Sequence, residues 1–140
     1  MVKSRINSAL SQYQSVSISS RVEDATPHRL IQMLMEGALD KIATAKGHML
    51  HDEPAEKGRH ISWAISIISG LQNSLDMDRG GELSRNLDDL YDYMVRRLGE
   101  AGASNDPAIL DEISSLLLEV KGAWDVIPQQ LAAESRKAAS

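Results

Sequence analysis

Apolar side chains recur at intervals of three and four residues over four long stretches of this chain, and proline, glycine, asparagine and aspartate punctuate the gaps between them. That interval lines side chains up on one face of an α-helix, because 3.6 residues complete a turn. In the first stretch the stripe is Ile31, Leu34, Ala38, Ile42, Ala45 and Met49, with Glu36, Lys41 and Lys46 off it. Thr26-Pro27 precedes it as an N-cap followed by proline at the first helical position, where the missing N–H costs nothing. A helix over 27–50 is predicted. His51-Asp52-Glu53-Pro54 repeats the signal, and Ile61, Ala64, Ile65, Ile68, Leu71 and Leu75 predict a second helix over about 54–77. Its middle, Trp63 to Ile68, is apolar around more of its circumference than one buried face requires, which leaves apolar surface over.

Asp78-Arg79-Gly80-Gly81 forms a turn, and a third helix opens near Glu82, whose charge suits a helix N-terminus. Leu83, Leu87, Leu90, Met94, Leu98 and Ala101 are its stripe, closed by Gly102 and Asn105-Asp106-Pro107. The last stretch, from about 107, has Ile113, Leu117, Val120, Trp124, Ile127 and Leu131 on alternating steps of four and three, with Pro128 placed to kink or stop it. Residues 1–25 carry only isolated apolar positions among Ser and Gln, and read as a mobile N-terminal arm that docks or stays loose. Residues 132–140 read as a flexible tail. Four amphipathic helices with short links and no strong strand pattern predict an all-α, antiparallel up-and-down four-helix bundle over 26–131.

Composition narrows the chemistry. The 140 residues contain no cysteine, which removes disulfides, thiolate metal sites and cysteine nucleophiles and fits a reducing cytoplasm. A formal net charge of -5 with scattered basic residues argues against nucleic-acid binding, which rests on clustered Lys and Arg. No apolar run approaches the ~18 residues that span a bilayer, so no membrane insertion is expected.

Few side chains suggest catalysis. His48 and His51 lie three apart beside Asp52, a spacing that brings metal ligands together, but imidazoles at a helix end are usually solvated, and no metal is expected. His60 invites comparison with histidine phosphotransfer bundles, yet Ile61-Ser62-Trp63-Ala64 follows it instead of the lysine and glycine usual there. Gly80-Gly81 leads into Glu82, the wrong charge for a phosphate cradle, and Arg96-Arg97 reads as a solvated helix face. Neither an enzyme activity nor a cofactor is indicated.

Several stretches together resemble the FliS family of flagellin export chaperones. They are Ser11-Gln12-Tyr13-Gln14-Ser15-Val16, the run Pro27 to Leu39, Ala64-Ile65-Ser66-Ile67-Ile68, Leu75-Asp76 with Gly80-Gly81-Glu82, the run Leu87 to Leu98, and Ala123-Trp124. The resemblance spans about residues 9 to 127 in order and spacing. It implies a cytoplasmic protein that binds the C-terminal segment of flagellin, prevents premature polymerisation and helps present it to the flagellar export gate, with a homodimer possible in the free state. Physically this is helix-in-groove recognition, in which a disordered segment folds as it lays its apolar side on the bundle. Candidate groove walls are Ile67, Leu71 and Leu75 on the second helix and Leu87, Tyr91 and Met94 on the third. Ile67 and Tyr91 stand out because they lie off their stripes. A leucine in a bundle is more often core than interface, so several of these six are expected to be structural. Met33, Met35 and Met94 offer adaptable contacts or core filling. Tyr13 is the candidate for a movable plug that covers the groove when no client is bound. The rivals are a histidine phosphotransfer-like signalling bundle and a generic helix-binding adaptor.

Overall fold

A computed structural model describes residues 26–127, which form four helices: α1 (Pro27–Leu50), α2 (Pro54–Asn73), α3 (Gly81–Ser104) and α4 (Pro107–Asp125). No strand occurs among the described residues. The links are short, so consecutive helices run antiparallel. Each helix packs on its neighbours in a closed cycle, α1 on α2, α2 on α3, α3 on α4 and α4 back on α1, with α1 against α2 the most extensive pairing. The arm, residues 1–25, and everything after Ile127 lie outside the described residues, including Tyr13 and Leu131.

Helix ends follow local chemistry. The Thr26 hydroxyl accepts from the Arg29 amide at 3.1 Å, and the Asp106 carboxylate accepts from the Ala108 amide at 3.0 Å, each satisfying an amide with no partner inside its helix. Pro27, Pro54 and Pro107 all sit at the first turn. Asn105 closes α3 in the left-handed region at φ 56°, which asparagine tolerates better than most residues. The Lys57 ammonium crosses from α2 to donate to the Gly102 carbonyl at 3.1 Å and to Asn105 Oδ1 at 3.0 Å, so a cation sits on the negative end of α3.

The second helix is shorter than its pattern predicts, ending at Asn73 instead of 77. The Ser74 hydroxyl donates to the Leu71 carbonyl at 2.7 Å, and the Ser74 and Leu75 amides tighten onto i−3 carbonyls. A serine bonding its own backbone offers the chain an alternative to the helix ladder. Leu75, now in the link, still packs against the core.

The core is continuous through all four helices, with Leu34, Ala38 and Ile42 of α1, Ala64 and Ile68 of α2, Met94 and Leu98 of α3, and Leu110, Ile113 and Leu117 of α4 almost wholly enclosed. Lys41, which falls off the predicted stripe, is nonetheless buried. Its aliphatic stem packs inward while its ammonium sits 4.1 Å from the centroid of the Trp63 ring and 3.1 Å from Asp40. At the end of the bundle where α1 begins and α4 finishes, His28 and Trp124 stack at 4.9 Å with an interplanar angle of 8°. Each ring also bonds the other residue's backbone. Trp124 Nε1 donates to the His28 carbonyl at 3.0 Å, and His28 Nε2 donates to the Trp124 carbonyl at 2.7 Å. Gln32 donates to Asp125 at 2.7 Å beside them.

Candidate functional site

Leu87, Met94, Leu98 and Ala101 of the predicted α3 stripe face inward, but at its N-terminal half Ser84 and Tyr91 take the inward line in place of Leu83 and Leu90. Its enclosed residues are Ser84, Tyr91, Met94, Leu98 and Ala101, with Leu87 half-buried between the first two. Those positions fall on steps of three and four beginning at Ser84, so the inward line passes through Ser84 and Tyr91. Leu83, assigned to the buried stripe by the sequence pattern, is consequently 66% exposed, and Leu90 is only half-buried. Gly80 accounts for the turn. The Ser84 hydroxyl donates to the Asp76 carbonyl at 3.1 Å, the Gly80 amide reaches the same oxygen at 2.8 Å, and this knot draws Ser84 inward at the start of α3.

Most of the residues expected to line a groove are enclosed instead. Ile67, Leu71, Tyr91 and Met94 are each no more than 3% exposed and belong to the core. Ile67 lies off the α2 stripe but is covered because α2 packs on both α1 and α3, which buries two adjacent faces of one helix. Tyr91 is on the true inward line of α3, and burial pushes its phenol up to about 12. Only Leu75 and Leu87 of the six remain half-buried. Tyr13 lies outside the described residues. Met33 and Met35 are buried as core filling.

An apolar seam exists instead on the outer flank between α3 and α4. Leu83 and Leu90, seven residues apart, share one face of α3. Midway along, the Tyr93 hydroxyl donates to Glu112 Oε2 at 2.5 Å, and Arg97 Nε donates to Glu112 Oε1 at 3.1 Å, pinning α3 to α4. The Tyr93 hydrogen bond, and then Arg97, hold the Glu112 carboxyl below its usual range, and Glu112 in turn raises the Tyr93 phenol. From that pin, Leu90 is one turn back along α3 and Leu116 one turn forward along the antiparallel α4, which sets them alongside each other. Leu116 and Val120 are half-buried and packed on the core. On the other side of α3, the Gln72 amide donates to Asp88 at 2.9 Å and Asp92 at 2.7 Å, closing the junction with α2 by polar bonds. Sequence reasoning missed Leu83 and Leu90 as surface residues. The signal that finds them is the small Ser84 spaced seven before Tyr91, a line competing with the leucines.

The histidines also settle differently. His51 Nδ1 donates to the Gly47 carbonyl at 2.7 Å on the exposed link, apart from His48, whose Nδ1 instead meets Glu53 at 2.9 Å. His60 is 7% exposed and its Nδ1 donates to the Glu56 carbonyl at 2.8 Å, so it is not the exposed imidazole that a phosphotransfer module presents. No helix among the described residues is long and apolar enough to cross a membrane.

Comparison with known proteins gives one consistent answer. The family described as "Flagellar protein FliS" matches residues 9–131. The chain is 57% identical over 119 residues to "Flagellar secretion chaperone FliSB" of Pseudomonas aeruginosa, covering 85% of this chain and 94% of the relative. It is 40% identical over 131 residues to "Flagellar secretion chaperone FliS" of Salmonella typhimurium, with 92% and 97% covered. With the protein of the same name in Vibrio cholerae it shares 38% over 122 residues, with 87% and 90% covered.

Proposed function

The chain belongs to the FliS family of flagellar proteins, and from that premise we propose that it is a cytoplasmic secretion chaperone that holds the C-terminal segment of flagellin on the seam between α3 and α4. The observation that carries this reading is the displaced leucine line on α3. Leu83 stands 66% exposed at one end, and half-buried Leu90 and Leu116 continue it into the core. Large apolar residues aligned on a surface and continuous with a core suit an amphipathic helix laid along them. Folding a disordered client on contact carries an ordering cost, and at roughly 25 cal/mol per Å² several hundred Å² of apolar burial are needed to offset it. An extended client that continues past the seam onto further helices meets that need. Holding the segment in this way withholds it from polymerisation and presents it to the export gate, and a second copy of the chain is the alternative occupant of the seam in the free state. Nothing in this role calls for catalysis.

Co-purification tests it. The chain should capture full-length flagellin and fail to capture flagellin lacking its C-terminal segment. Leu83→Glu combined with Leu90→Glu should abolish capture while the far-ultraviolet circular dichroism spectrum stays helical, because Leu83 and Leu90 are not enclosed. Undiminished capture by a folded double variant would reject the seam.

A further inference from the structure

At the opposite end of the bundle from Leu83, where α1 turns into α2, His48, Glu56 and His60 converge. One ring nitrogen from each histidine and one Glu56 carboxylate oxygen all lie within 4.8 Å of one another. The two imidazole centroids are 5.1 Å apart. We propose that His48, Glu56 and His60 form a binding site for a zinc-class divalent transition-metal ion that rivets the end of α1 to the start of α2.

Three features favour a metal over a merely packed pair of rings. First, two imidazoles and one carboxylate with a position left for water is a donor set that zinc accepts in tetrahedral geometry, at bond lengths of about 2.0–2.2 Å. Ligand atoms around such an ion stand roughly 3.3 Å apart, so side-chain rotations of about an ångström close the site. Second, both rings are already held at Nδ1 by an acceptor, His48 by the Glu53 carboxylate at 2.9 Å and His60 by the Glu56 carbonyl at 2.8 Å. Metal-ligating histidines are oriented in this way, with one nitrogen donating to a carboxylate or carbonyl and the other left to carry the lone pair. Third, His48 lies in the last turn of α1, where the negative end of the helix dipole favours a cation, and Glu56 contributes a negative charge. Arg59 occupies Glu56 at 2.7 Å, and the exposed guanidinium would give way to the ion. His51, three residues from His48 and alone on the link, takes no part.

Untagged protein, stripped with chelator and titrated with zinc chloride by isothermal calorimetry, should bind one ion per chain and melt at a higher temperature once loaded. His48→Gln and Glu56→Gln, both at positions that are not enclosed, should each weaken binding at least about tenfold, whereas His51→Gln should leave it unchanged. His60→Gln should weaken it as much, with the His48 and Glu56 variants deciding the question if the buried substitution unfolds the chain. A folded wild-type protein that takes up no zinc, or uptake that survives both His48→Gln and Glu56→Gln, would overturn the site.

Discussion

Replacing Trp124 by Ala and His28 by Ala, singly and together, isolates one contact where the first and last helices meet. The geometry separates the contributions. Trp124 Nε1 bonds the His28 backbone, and His28 Nε2 bonds the Trp124 backbone, so either single variant removes one hydrogen bond and leaves the other residue's bond geometrically possible. Each such bond contributes about 1 kcal/mol. The stacked rings, 4.9 Å apart, contribute about another 1 kcal/mol and are lost in either variant. The half-buried indole adds roughly 1 kcal/mol of apolar burial. Trp124→Ala should therefore cost about 3 kcal/mol, His28→Ala about 2, and the double variant about 4 instead of 5, because the stacking loss is counted once. Urea titration followed by circular dichroism measures all four corners of the cycle, and near 4 °C per kcal/mol the Trp124 variant should melt roughly 12 °C lower. Single costs that add to within about 0.3 kcal/mol would show that the stack contributes nothing, since independent sites add to that accuracy.

Further predictions concern the two glycines before α3, one glycine inside α1 and the enclosed phenol. Gly81 has φ +56°, so Gly81→Ala should cost about 1–2 kcal/mol in urea unfolding. A Cβ on Gly80 would lie 2.8 Å from the Asp76 carbonyl oxygen as well as against Ser84, and Gly80→Ala should cost about 1–3 kcal/mol, whereas Gly47→Ala, with open space around it inside α1, should stabilise by about 0.5–1 kcal/mol. For Tyr91, burial raises the phenol from 10 to about 12, so the folded chain keeps a proton that the unfolded chain releases. The corresponding stability is intact below pH 10 and falls by roughly 2–3 kcal/mol as pH rises toward 12. Tyr91→Phe should flatten that alkaline decline in denaturant titrations, and an equal decline in both proteins would remove Tyr91 as its cause.

Helix starts were legible because each is written in a few adjacent residues. Thr26-Pro27, Glu53-Pro54 and Asp106-Pro107 put α1, α2 and α4 at their observed first residues, since capping and proline geometry act locally. Rotation of a helix about its axis is a different kind of fact. Leu83 and Ser84 compete for one inward position, and hydrophobicity alone favours the leucine. The outcome depends on a hydrogen-bonded knot among Asp76, Gly80 and Ser84 that no periodicity encodes. The same limit assigned Ile67 and Tyr91 to a groove, because how many neighbours a helix has decides how many of its faces are covered. The spacing of His48 and His51, set aside in the sequence, misses the histidine that does come close for a related reason. Proximity along the chain was a weaker guide than the antiparallel return of α2, which brings His60 beside His48.

The clasp of His28 on Trp124 has a topological corollary. Since Thr26 before α1 and Asp125 at the end of α4 lie at the same pole, the four helices form a ring of neighbours in which α4 and α1 touch as the other neighbouring pairs do. A circularly permuted chain, joined from α4 to α1 and cut at the two-residue connection between α3 and α4, retains every helix pairing, and with it the seam that a guest would occupy.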